Sequence, residues 1–250
     1  MTEKELDLLL DTCLLAGKIM MESDAEMYRV EDTMSRIALA SGNYRLVSYV
    51  TQTGLFIGLD RTSTIRMEQI TNRSINLEKV VNVNNLSRKY VAGELTLNDL
   101  YVALQAIEKD RSSFPVWLQI LSAAVISGTI MVLFGGEMSD LPITLMIGGI
   151  GYAIYLYSLK FFRIKFLSEF LSSLLIGLTA ILSVRVGLGA NQDSIIIGCV
   201  MPLVPGVQIT NAIRDLLAGD YVSGVSRGTE AMMTATMIGF AIAFIFQLFY

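Results

Sequence analysis

The chain has 250 residues, 53% apolar and 17% charged, with a net charge of −4, a mean hydropathy of +0.55 and no histidine. That hydropathy is too high for an ordinary soluble domain, and the acidic balance offers no basic surface for nucleic acid. Without His there is no Ser–His–Asp or Cys–His triad and little basis for zinc. Cys13 and Cys199 fall in different parts, so no disulfide framework is expected, and no catalytic, metal or cofactor site is assigned.

The opening "MTEKELDLLLDTC" is acidic and amphipathic and lacks the basic start and apolar run of a signal peptide. Leu6, Leu9, Leu10, Cys13 and Met20 repeat at helical spacing. So do Met27, Val30, Met34 and Ile37 in "MYRVEDTMSRIALASG". "RLVSYVTQTGLFIGLD" and "STIRMEQI" read as two strands joined by a turn around Asp60-Arg61. "NLEKVVNVNNLSRKY" and "TLNDLYVALQAIEKD" read as helices, the second opened by a capping box of Thr96 and Asp99. Residues 1–113 are therefore expected to form an α+β cytoplasmic domain of order ααββαα.

From Phe114 on, apolar runs dominate, and residues 114–250 are expected to be an all-α transmembrane domain of five spans. The spans fall at about 116–134, 141–159, 166–184, 194–217 and 228–249, with Trp117 and Tyr250 at ends where amphipathic rings prefer the interface. Lys160, Arg163 and Lys165 lie in one link, and Arg214 and Arg227 lie in another. The link "GGEMSD" carries no cation and 185–193 carries only Arg185. The positive-inside rule then puts 1–113, 160–165 and 211–227 in the cytoplasm, and Tyr250 outside.

The fourth span is broken by Pro202, Pro205 and Gly206, roughly 15 Å deep if it enters near Ser194. A helix restarting after such a break presents its positive N-terminal end near mid-membrane, as transporters do toward anionic or zwitterionic substrates. Gln208, Asn211 and Asp215 share one face of it, with Thr210 and Arg214 beside them. Pro202, Pro205, Gly206, Gln208, Thr210, Asn211, Arg214 and Asp215 are thus the candidate substrate-binding residues. Asp215 and Glu230 are the candidate proton carriers, since without His a coupled proton must ride on a carboxylate.

Other polar groups have plainer readings. Glu169 is expected to pair with Lys165 four residues earlier, and Glu230 to neutralise Arg227 or Arg214 if it does not carry a proton. Gly148, Gly149 and Gly151 suit close helix packing. In the N-terminal domain Arg29, Glu31, Asp32, Thr51 and Thr53 are candidates for ligand contact or gating. Helical spacing also explains Arg29, Asp32 and Arg36 as a salt-bridged surface.

"YRVEDTMSRIALASG", "TQTG" and "PGVQITNAIRDLLAGDYVSG", with an N-terminal domain followed by five spans, resemble the threonine/serine exporter family over nearly the whole chain. Within it the chain is similar to the short, YjjP-like members. Family members often carry Ser-Gly-Ala where this chain has Ser23-Asp24-Ala25, and Pro where it has Gln52, so no role is carried over to those positions. The resemblance implies a membrane protein that exports threonine and serine, or succinate in the split type. It implies an N-terminal domain of hydrolase-like character and a separate YjjB-like membrane subunit as partner. The expectation is a non-enzymatic subunit of a secondary exporter in the inner membrane, oligomeric, with a small-molecule substrate; no Walker loop is present for direct ATP drive. The alternative is a membrane-anchored enzyme or regulatory subunit acting through the N-terminal domain.

Overall fold

Two helices that share an apolar seam begin the chain. In the computed structural model, which describes residues 2–42, 44–60, 64–110 and 114–249, α1 is Glu3–Glu22 and α2 is Met27–Ala40. Met27, Val30, Met34 and Ile37 are fully buried against Leu9, Leu10, Cys13 and Met20, as their helical spacing predicts. Burial pushes the Cys13 thiol up to about 12. A sheet follows, of β1 (Leu46–Thr51), β2 (Gly54–Leu59) and β3 (Ile65–Gln69), antiparallel in the order β1-β2-β3. The stretch 45–60, expected as one strand, is therefore a hairpin, and the sheet has three strands instead of two. Thr51 pairs with Gly54, so Gln52 and Thr53 form the turn, and the Thr51 hydroxyl closes it by accepting from the Gly54 N–H at 3.1 Å. The expected turn at Asp60-Arg61 lies partly outside the described residues. Helices α3 (Leu77–Val91) and α4 (Leu97–Lys109) complete the layer, and the Thr96–Asp99 capping box is present. The α+β class holds, with order ααβββαα.

The C-terminal part is helical: α5 (Val116–Leu133), α6 (Leu141–Phe162), α7 (Lys165–Arg185), α8 (Gln192–Val200), α9 (Gly206–Ala218) and α10 (Tyr221–Phe249). Four stretches are long and apolar enough to cross a membrane. The segment Gln192–Leu203 with Gly206–Ala218 makes a fifth if that pair, bent by 58°, is one broken span. Tyr250, expected at an interface, and the domain boundary expected at 113/114 fall at or beside residues outside the description.

The chain divides into two units. One is Met1–Ser112 with Ile209–Gly228, and the other is Ser113–Gln208 with Thr229–Tyr250. Most of α9 and the first turns of α10 thus belong with the N-terminal helices and sheet. In the second unit, small residues let helices approach. A Cβ on Gly148 would stand 2.2 Å from the Ser127 hydroxyl, and one on Gly151 2.6 Å from Ile176, which supports the packing role expected of the glycine cluster. Asp140, before α6, is fully buried and accepts the N–H groups of Ala190 and Asn191 at 2.6 and 3.0 Å, tying two interhelical links at one end. At the opposite end of α7, Lys165 pairs with Glu230 at 2.8 Å.

Candidate functional site

The break in the second unit is made by proline geometry. Pro202 sits in a single turn of 3-10 helix, Met201–Leu203, and Val204 is extended (φ −63°, ψ 130°) before Pro205. A residue preceding proline is pushed out of the α region, and that is sufficient for the bend. Gly206, expected to permit the turn, is not in the left-handed region and has open space where a Cβ would go. Beside the break lies a largely apolar pocket of about 360 Å³, lined by Phe114, Leu118, Gln119, Ser122, Tyr152 and Pro202 among others. Of the expected substrate residues only Pro202 lines it. Gln119, Ser122 and Tyr152 carry no pattern in sequence that marks them, because they come together only when α5, α6 and α8 pack.

Asn211, Arg214 and Asp215 belong to the first unit, where they have partners of their own. The turn between α9 and α10 is set by Gly219 at φ 94°, and α10 crosses α9 so closely at Gly224 that a Cβ there would meet Leu216 at 2.6 Å. This corner presents Asn211, Asp215 and Arg227 to the link between α1 and α2. Asn211 Nδ2 donates to the Asp24 carbonyl at 3.2 Å, and Asp215 Oδ1 accepts the Met27 N–H at 3.3 Å. Arg227 is 1% exposed. Its Nη1 donates to the Asp24 carboxylate, its Nη2 to the Ala25 carbonyl at 2.8 Å, and its Nε lies 3.0 Å from the wholly buried Asp215. Glu26 accepts from Arg214 and, at 3.2 Å, from Arg29. Three carboxylates and three guanidinium groups balance.

Asp24 holds a left-handed backbone, φ 62°, uncommon for any residue but Gly. Nearby, Ser226 donates to the buried Gln52 at 2.8 Å. The predicted polar stripe of α9 does face protein: Asn211 and Asp215 are buried, whereas Thr210 and Arg214 are exposed. Sequence reasoning missed the other half. Asp24 and Gln52, to which no role was carried over from the sequence, both lie in this contact.

A second pocket of the first unit, about 180 Å³, is lined by Arg29, Asp32, Thr33, Arg36, Asn84, Ser87 and Arg88. Arg36 pairs with Asp32 at 2.7 Å, and the Thr33 hydroxyl donates to Asn84 at 3.1 Å. Two expected ligand candidates, Arg29 and Asp32, are brought together here. Thr51 and Thr53 stand at the hairpin instead. Burial, with the charge of Asp220, pushes the Glu31 carboxyl up. Glu230 pairs with Lys165 at 2.8 Å, where the sequence pattern expected Glu169 as the ion-pair partner of Lys165. Among the described residues no group of three or more His, Cys, Asp or Glu is placed to hold a metal ion.

An N-terminal α+β unit combined with several apolar spans and one bent pair defines a multi-pass membrane protein. The chain belongs to the threonine/serine exporter (ThrE) family, whose model, described as "Putative threonine/serine exporter", matches residues 11–249. Neither a curated protein nor a solved structure matches it.

Proposed function

We propose that the chain is one subunit of a secondary exporter that moves a small carboxylate-bearing metabolite (threonine, serine or a dicarboxylate such as succinate) out across the inner membrane. Its YjjP-like character makes it the first half of a split pair, working as an oligomer with a separate YjjB-like subunit. The N-terminal unit faces the cytoplasm and the C-terminal end of α10 faces outside, following the distribution of Lys and Arg.

The observation that carries this reading is the bent pair with its adjoining pocket. A helix interrupted in mid-span, ending in a cavity that mixes apolar walls with Gln119, Ser122 and Tyr152, suits a small amphipathic solute. Pro202, Pro205, Gly206 and Gln208 form the substrate end of the site, with the positive end of α9 toward the carboxylate. Thr210, Asn211, Arg214 and Asp215 lie further along α9, within the first unit. An ion gradient drives transport, and the proton rides on a carboxylate, for which Asp215 and Glu230 are the sequence-derived candidates.

Export of labelled serine, threonine and succinate is measured in proteoliposomes holding the chain alone and with its partner. The expected result is gradient-driven export with the pair. Absence of export for all three, with folded protein in both preparations, overturns the proposal.

A second reading is favoured by the arginine-lined pocket. Arg29, Arg36 and Arg88 around about 180 Å³ suit a small anion, so the N-terminal unit senses the cytoplasmic carboxylate and regulates export. Loss of succinate or serine binding on Arg88→Ala, with transport itself retained, is its signature.

A further inference from the structure

Helix α7 and the C-terminal part of α10 run parallel in one register. Lys165 meets Glu230, Glu169 faces Thr234, and Gly177 lies against Ile242, a constant offset of 65 residues (230 − 165, 234 − 169, 242 − 177). At the far end Arg185 donates to the Phe249 carbonyl at 3.2 Å. The first rung, Lys165–Glu230, is part-exposed. The second lies one helical turn, roughly 6 Å, further in.

That second rung is buried. Glu169 is 2% exposed, Thr234 1% and Ser173, one turn along the same face of α7, is fully buried. Glu169 Oε2 and Ser173 Oγ make no hydrogen bond among the described residues, and the Thr234 hydroxyl stands beside the Glu169 carboxyl. The neighbouring serines are different: Ser172 donates to the Gly151 carbonyl at 2.7 Å, and Ser168 to Ile164 at 3.0 Å. A carboxyl buried inside a span, beside the Thr234 hydroxyl and on the same helical face as Ser173, is an expensive arrangement that packing alone does not require. The charged and titratable groups facing it are Lys165 on its own helix, Glu230 on α10 and Tyr155 on α6. The Tyr155 ring lies 5.7 Å from that of Tyr152, and Tyr152 lines the pocket at the helix break.

We infer that Glu169, with Ser173 and Thr234 as its hydrogen-bonding partners, is the residue that takes up and releases the proton coupled to export. This rests on the transport reading above. The sequence-derived carriers are otherwise engaged: Asp215 is paired with Arg227 and Glu230 with Lys165. Hydroxyls rotate, so Ser173 and Thr234 suit both states of the carboxyl. They donate to the carboxylate, and one of them accepts from the acid. In each cycle a proton from water on one side bonds to a carboxylate oxygen of Glu169, taking the site from −1 to neutral, and leaves as that O–H breaks toward water on the other side. No other bond changes. The pair Tyr155–Tyr152 connects this event to the substrate pocket.

The test uses the full chain, in whichever preparation exports. Glu169→Gln is expected to lose pH-gradient-driven export by at least about tenfold while keeping exchange of labelled substrate at zero gradient within about threefold. Thr234→Val is expected to move the pH of half-maximal export and leave exchange in place. Dicyclohexylcarbodiimide, which modifies protonated carboxyls in apolar surroundings, is expected to label Glu169 at low pH, less as pH rises, and not to label that position in Glu169→Gln. The inference is overturned if folded Glu169→Gln keeps gradient-driven export, if a sodium gradient replaces the proton gradient in the wild type, or if carbodiimide labels other carboxyls and spares Glu169. A wild type that exports nothing removes the transport reading, while the labelling still decides whether Glu169 exchanges protons.

Discussion

Arg227 is the residue on which the first unit's buried network turns. Removing it leaves Asp24 and Asp215 as buried charges without their cation, and a buried pair broken from one side costs about 3–5 kcal/mol. Arg227→Ala is therefore expected to lower the melting temperature in detergent sharply and to speed amide exchange in α1 and α2. Arg227→Lys, which loses the forked geometry, falls between. A change confined to α9 and α10 would contradict this. Glu31 gives a pH-dependent counterpart. Its carboxyl is raised in the folded state, so the native protein binds that proton more tightly than the unfolded chain does. Its contribution to stability is full below the ordinary carboxylate range and is lost as pH rises through the folded value. Glu31→Gln should then melt higher than the wild type at neutral pH, with the difference closing near about pH 4.3. At this scale the sequence was half legible. Asn211 and Asp215 announce themselves as polar groups on one helical face. Asp24 does not, because nothing local reveals a buried partner some two hundred residues away.

Among the elements, the bend between α8 and α9 separates two residues that look equivalent in sequence. Pro205 holds Val204 extended, whereas Gly206 has ordinary backbone angles and empty space around it. Pro205→Ala is expected to relax the bend and abolish most export from folded protein. Gly206→Ala, whose added Cβ meets nothing within 4 Å, is expected to lower export much less than Pro205→Ala and to stabilise the start of α9 slightly. Equal effects of the two substitutions would show that helix flexibility matters, not proline geometry. The broken span was readable because Pro and Gly act locally. The hairpin at Gln52-Thr53 was not, since two-residue turns are usually signalled by Asn-Gly or Asp-Gly with positive φ, and neither residue here adopts it. The parallel register of α7 and α10 was equally hidden: apolar spans without a sharp amphipathic face do not disclose their neighbours.

For the whole molecule, composition alone separated a polar N-terminal stretch from apolar spans, and long spans are legible because lipid demands uninterrupted apolar helices. The return of residues 209–228 to the N-terminal unit was not legible, as it depends on charges distant in sequence. The orientation predicts opposite labelling of two exposed positions. In a background without Cys13 and Cys199, a cysteine at Ser139 should react with an impermeant thiol reagent on intact cells, and one at Asn85 only after the cells are opened. The reverse pattern would invert the topology. The interleaved order of the units also sets a sequence of events in time. The 115 residues from 113 to 227 (227 − 112) must be synthesised after the N-terminal part before Arg227 exists. At about 5–20 residues per second that interval is roughly 6–23 s. Throughout it the pair between Arg227 and the left-handed Asp24 cannot yet form, so the buried network of the first unit is completed late in synthesis. The Arg227 pairs close only after residues 113–226, which hold most of the apolar stretches, have been made.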